Sequence, residues 1–186
     1  MEENIVLFVD DEPHILSSLK RLLRGEKYKI ITATSGEEGL NVLSTNRVQL
    51  VISDQRMPNM EGTVFLQKVK ELYPDTIRLI LSGYADASVI VESINKGEIY
   101  RFIGKPWNDE ELKSTIKQSF EHYHILRHTR ELEEETRLQN IRLSKMNEYL
   151  ESTVEQRTKS LQLSQEILEN LPVGVVGVSR EAEIVF

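Results

Sequence analysis

The 186-residue sequence contains no cysteine. That excludes disulfides and thiolate metal sites. Long apolar runs are missing too. The longest near the N-terminus is Ile5-Val6-Leu7-Phe8-Val9, far short of the roughly 20 residues a membrane-spanning helix requires. Glu2 and Glu3 stand before it, where a secretory signal would carry basic residues. A cytoplasmic protein with no membrane partner is the expectation. Basic residues are in deficit, with 23 Lys and Arg against 30 Asp and Glu and a net charge of −7. That balance argues against nucleic-acid binding by this chain. Glycine and proline are absent between Trp107 and Pro172, so nothing there interrupts a helix.

Before that interval, short apolar runs alternate with helical patterns. Asn4 to Val9 reads as a buried strand and is followed by Asp10-Asp11-Glu12-Pro13. Pro13 suits the first turn of a helix, with Asp11 or Glu12 before it. Ile15, Leu16, Leu19, Leu22 and Leu23 then recur at helical spacing up to Gly25. Strands are predicted at Tyr28 to Ala33, Leu50 to Ser53, Thr76 to Leu81 and Ile99 to Ile103. Ser35 and Glu38 read as a capping box opening a second helix. Val64, Phe65, Val69 and Leu72 mark a third helix, and Val89, Ile90, Val91 and Ile94 a fourth. Five strands alternating with helices predict an α/β fold, a doubly wound five-stranded parallel sheet of flavodoxin-like type. A long C-terminal helix follows.

In such a sheet the C-terminal strand ends lie along one edge, where open α/β sheets place their chemistry. Asp10-Asp11, Asp54, Ser82 and Lys105 all fall there. Asp54 is the predicted phosphoacceptor. Three carboxylates brought together repel, and a hard divalent cation, Mg²⁺ (or Mn²⁺), relieves the repulsion through oxygen ligands. Asp11 and Asp54 are the expected direct ligands, Asp10 acts through a water, and the backbone carbonyl of Arg56 reaches the same ion. Phosphoryl transfer needs a positioned nucleophile and neutralised equatorial oxygens. Lys105 supplies a point charge on a long stem, and Ser82 offers a hydroxyl. Pro106 fits a tight turn, with a cis Lys105-Pro106 bond as a candidate.

Asp10-Asp11, SDQRMPNMEG, LSGYAD and FIGKPW together resemble the response-regulator receiver domain of two-component signalling, over roughly residues 4 to 122. The resemblance implies that Asp54 accepts a phosphoryl group from a histidine kinase or phosphotransfer protein. It implies a metal-binding acidic pair at Asp10 and Asp11, a switch hydroxyl at Ser82 and a phosphate-binding lysine at Lys105. The switch aromatic matches Phe102, which lacks a tyrosine hydroxyl, so switching there rests on ring packing. Arg56 and Tyr84 match positions that flank the phosphoryl group and tune its lifetime.

Each residue also has a plainer reading. Asp10 and Asp11 suit a helix N-terminus by charge alone, Ser82 suits a turn, and Lys105 pairs with an acid at rest. Phe102 reads as core more than as switch. His122, His124 and His128 read as solvated helix residues, and Trp107 as a packing anchor. A phosphatase working through an aspartyl-phosphate needs a second acid two residues past the nucleophile, and Arg56 stands there. A phosphorylation-independent dimerising scaffold is the other alternative. The chain itself is not expected to be an enzyme.

After Asn108 the helical pattern continues. Ile125, Leu132, Gln139 and Met146 recur every seven residues, with Thr129, Thr136, Leu143 and Leu150 between them. Beyond Leu150 the seam moves to Val154, Arg157, Leu161, Ser164, Leu168 and Leu171, a stutter. A weak parallel homodimeric coiled coil is predicted. The last stretch, ILENLPVGVVGVSREAEIVF, resembles the opening of a PAS sensor domain. The domains expected are therefore 1-122, receiver; 123-170, coiled-coil helix; and 171-186, a truncated PAS-like start.

Overall fold

The computed structural model describes residues 3–83 and 98–170. The helix expected around Val89 to Ile94, Tyr84, and the PAS-like stretch from Leu171 lie outside the described residues. Among those described, the order is β1 (Asn4–Val9), α1 (Pro13–Leu22), β2 (Tyr28–Ala33), α2 (Gly36–Thr45), β3 (Leu50–Asp54), α3 (Gly62–Leu72), β4 (Ile77–Ser82), β5 (Arg101–Gly104) and α4 (Asp109–Glu169).

The strands form one sheet in the order β2-β1-β3-β4-β5, every pair parallel. This is the doubly wound order, and the reversal between β1 and β3 is its switch point. Side chains alternate between two cores, as the period of a strand requires. Val6, Phe8, Leu50, Ile52, Leu79 and Leu81 pack with α1 and the start of α4 on one face. Leu7, Val9, Val51 and Ile80 pack with α2 and α3 on the other. β3 is buried along its whole length, which explains its continuous apolar run.

The helix ends follow local chemistry. Pro13 occupies the first turn of α1 after Glu12. At α2, Ser35 Oγ accepts the Glu38 N–H at 3.2 Å. Glu38 returns the bond one residue earlier than a standard capping box, accepting the Thr34 N–H at 2.6 Å and the Thr34 hydroxyl at 2.7 Å. The bond from the Thr34 N–H holds the Glu38 carboxyl below its usual range. Asn108 caps α4 by accepting the Glu110 and Glu111 N–H groups at 3.0 and 3.1 Å. Trp107 packs against the α1–α4 core as an anchor.

Contacts divide the chain into two units, Met1–Glu131 and Leu132–Phe186. Within the first unit, α4 stays engaged after His122. Tyr123 is buried with Phe120 in the core. His124 Nε2 and Asn4 Oδ1 lie 2.9 Å apart, and Arg130 pairs with Asp75. His122 stacks on Tyr100 with ring centroids 4.5 Å apart. His124 and His128 are exposed, whereas His122 is half-buried, a departure from the solvated placement expected of all three. In the second unit, the described residues are one exposed helical segment from Leu132. Its pairs at helical spacing, such as Lys159–Glu155 and Arg137–Glu134, are worth only about 0.3–0.5 kcal/mol each.

Candidate functional site: an acidic pocket at the sheet switch point

Three main-chain bonds fix the strand ends beside the pocket. The Asp10 N–H donates to the Ala33 carbonyl at 3.2 Å, Gln55 to Leu81 at 3.0 Å, and Lys105 to Ser82 at 2.8 Å. The ladders thus continue to the residues that carry the chemistry. Asp10 is 1% exposed and Asp54 is 8% exposed. Lys105 Nζ bridges them, 3.0 Å from Asp10 Oδ2 and 2.5 Å from Asp54 Oδ1. Each acid gives its other oxygen to a backbone amide. Asp54 Oδ2 accepts the Arg56 N–H at 2.9 Å, and Asp10 Oδ1 accepts the Glu12 N–H at 2.9 Å.

The Lys105 ammonium is therefore the counter-ion of two buried carboxylates. Burial alone would lower its pKa. The hydrogen bonds and charges of Asp54 and Asp10 outweigh burial and hold it above the ordinary lysine value. The Lys105–Pro106 peptide bond is cis.

Ser82 is buried at the end of β4 and donates its hydroxyl to the Gly83 carbonyl at 3.1 Å. Asp11 stands half-buried beside Asp10. The Arg56 side chain is exposed while its amide faces Asp54. Phe102 departs from the core placement expected of it: it is 53% exposed. It lies on the edge strand β5, where only Ile103 is buried.

Among the described residues no three acidic or histidine side chains form a ready metal cage. Lys105 supplies one positive charge to the two carboxylates of Asp10 and Asp54, which leaves the cluster net negative. The donor chemistry fits a hard divalent cation, with carboxylate oxygens from Asp10, Asp11 and Asp54 at one strand edge.

Two residues of the site carry roles that the linear reading passed over. A Cβ built at Gly62 would overlap the carbonyl oxygen of Asp54. Glycine is thus required by the close approach of α3 to the end of β3. Gly62→Ala is expected to cost about 1–3 kcal/mol, the usual scale of overpacking, as read by urea denaturation. The second residue is Gln55, a buried amide next to Asp54, whose bonds run to Glu61 and Thr63. Gln55 is the first residue of the polar loop after β3, and nothing in that polar run sets it apart.

The fold and pocket define a doubly wound parallel sheet with paired acids and a lysine at its switch point. Residues 6–117 match the response regulator receiver domain family, and the chain belongs to that family. It is 34% identical over 127 residues to the hydrogenase transcriptional regulatory protein HoxA of Bradyrhizobium diazoefficiens, covering 68% of this chain and 26% of the relative. The chain thus spans about a quarter of the length of the curated relatives it matches. Among solved structures, an uncharacterised protein from Neptuniibacter caesariensis superposes with TM-score 0.64 and 44% identity, covering 67% of this chain and 92% of that one. The signal receiver domain of an HD domain-containing protein from Pseudomonas fluorescens Pf-5 superposes with TM-score 0.63 and 37% identity, covering 66% and 98%.

Proposed function

We propose that the chain is the phosphorylation input of a two-component response regulator, with Asp54 as phosphoacceptor. The observation that carries this reading is the buried Asp10–Lys105–Asp54 arrangement at the sheet switch point. A structural ion pair alone would not need two buried acids around one lysine, because uncompensated burial of charge is costly.

The partner is a histidine kinase or phosphotransfer protein. An Asp54 carboxylate oxygen attacks the phosphorus of a phosphohistidine. The P–O bond of the acyl phosphate forms, the P–N bond breaks, and the proton needed by the departing imidazole comes from solvent. Lys105 moves from countering Asp54 to countering the phosphoryl oxygens. The Arg56 amide holds Asp54 in place. Asp10, Asp11, Asp54 and the Arg56 carbonyl are the groups that would hold Mg²⁺ (or Mn²⁺), which supplies charge neutralisation when bound. Ser82 and Phe102 respond to the phosphoryl group, and Arg56 and Tyr84 tune its lifetime. The chain acts as an acceptor and switch in the cytoplasm, and any turnover chemistry belongs to an output region.

The matched relatives name different outputs, a transcriptional regulator and an HD domain-containing protein, so the output is not fixed by the family. The signal leaves through the helix after the receiver, read as a parallel homodimeric coiled coil leading into a PAS-like domain. Exposed apolar side chains support that pairing. Leu132, Leu143, Met146, Leu150, Val154, Leu161 and Leu168 are all exposed in the single chain, and a seam of this kind is buried by a second copy.

Acetyl phosphate with Mg²⁺ is expected to label the wild type and not Asp54→Asn. Labelling of the variant at the wild-type rate would contradict the assignment. Light scattering at micromolar concentration is expected to show a dimer, and a monomer with and without phosphorylation would overturn the coiled coil.

A further inference from the structure

α3 begins without a cap of its own. Its N-cap residue, Glu61, makes no side-chain capping bond. A helix start leaves four N–H groups without partners, and here the acceptor comes from another element. Gln55 Oε1 accepts the Thr63 N–H at 3.2 Å. The Gln55 amide nitrogen lies 3.5 Å from both Glu61 Oε2 and Thr63 Oγ1. Its main chain closes the same loop, the Gly62 N–H donating to the Gln55 carbonyl at 2.9 Å. Gln55 and Thr63 are both buried.

The loop so closed runs from Gln55 to Gly62. It contains Arg56, whose amide holds Asp54 Oδ2, and Asn59, whose φ of 64° lies in the left-handed region. Asparagine tolerates that region, so Asn59 permits the turn, and bonds at the ends of the loop add support. The side-chain bonds of Gln55 are that support at the end nearest the pocket.

We propose that Gln55 is a positioning residue: it pins the start of α3 to the end of β3 and thereby sets where the Arg56 amide and carbonyl stand relative to Asp54. The inference rests on the reading of Asp54 as phosphoacceptor and of the Arg56 carbonyl as a metal donor. Its geometric part is measurable without either.

Gln55→Met fills similar volume and removes the polar amide. By amide hydrogen exchange in the full chain, the variant is expected to lose protection at both Thr63 and Arg56. Thr76→Val provides the control, since it deletes a buried bond from the Thr76 hydroxyl to the Val48 carbonyl, 2.9 Å long and away from the pocket. The control is expected to leave Arg56 protection unchanged. Mg²⁺ titration followed by Trp107 fluorescence should shift to roughly tenfold higher concentration in Gln55→Met, the scale seen when a group orienting a metal ligand is removed, and should not shift in Thr76→Val.

Equal loss of Arg56 protection in both variants, or an unchanged Mg²⁺ midpoint in Gln55→Met, overturns the proposal. If wild type and variant alike show no Mg²⁺ response while Arg56 protection still falls only in Gln55→Met, the metal reading fails and the positioning of the Arg56 amide stands. Should Gln55→Met not fold, the wild type decides: Mg²⁺ is expected to raise protection at Arg56 and Thr63 together, and a rise at Arg56 alone would refute the link.

Discussion

Lys105→Met is expected to lower stability by about 3 kcal/mol near neutral pH, because removing one partner of a buried ionic group leaves charge uncompensated. Here the loss falls on two carboxylates at once. Asp10 and Asp54 are both buried and share the same ammonium. Without it, the bonds left to them among the described residues are those from the backbone amides of Glu12 and Arg56. A divalent cation can take over the missing positive charge, so millimolar Mg²⁺ should restore part of the loss in the variant and change the wild type less. The pH dependence has a definite sign. Lys105 has its pKa raised in the folded state, so its contribution is complete below the ordinary lysine value of about 10.4. It is lost as pH rises through the higher folded value. The gap between wild type and Lys105→Met should therefore be constant from pH 7 to about 10 and close above that. Urea denaturation at stepped pH, with and without Mg²⁺, measures all of this. A variant as stable as the wild type at pH 7.5 would show that the ammonium is not the counter-ion of the pocket.

Tyr123→Ala is expected to cost about 3–5 kcal/mol, the range for deleting a large buried aromatic side chain. Tyr123 is 5% exposed and packs in the core shared by β1, β3, α1 and α4. Ile125, two residues on and 63% exposed, is the comparison. Ile125→Ala should change the unfolding of the first unit by less than about 0.5 kcal/mol. The pair of variants places the end of the folded receiver. A domain ending at His122 predicts two equally small effects, whereas a unit reaching Glu131 predicts the asymmetry.

The strands were legible because buried parallel strands are short, apolar and bounded by turns. β3, the fully buried one, differs from its predicted span only in including Asp54. The convergence of Asp10, Asp54, Ser82 and Lys105 on one edge follows from strand order, which alternation of strands and helices implies. Other features were not readable for physical reasons. Phe102 looks like core in any apolar count, but it sits on an edge strand whose flank does not bury it. The cap of α3 comes from Gln55, eight residues before the amide it serves, beyond the three-residue window in which caps are recognised. The expected end of the receiver, His122, falls inside α4, which spans Asp109–Glu169. A continuous helical pattern carries no mark of where packing against the sheet stops. Only contacts with residues far away in sequence carry that mark, and among the described residues Tyr123, His124 and Arg130 make them.

The central claim is that Asp54 forms an acyl phosphate. The direct test is to phosphorylate the chain with acetyl phosphate and Mg²⁺, reduce it with borohydride, and map the peptides by mass spectrometry. Borohydride reduces an acyl phosphate of aspartate to homoserine and leaves a free carboxylate untouched. Homoserine is expected at position 54 and is lost when phosphorylation is omitted. Unreduced Asp54 with the phosphoryl group on His122, His124 or His128, or a chain that takes up no phosphoryl group, would contradict it.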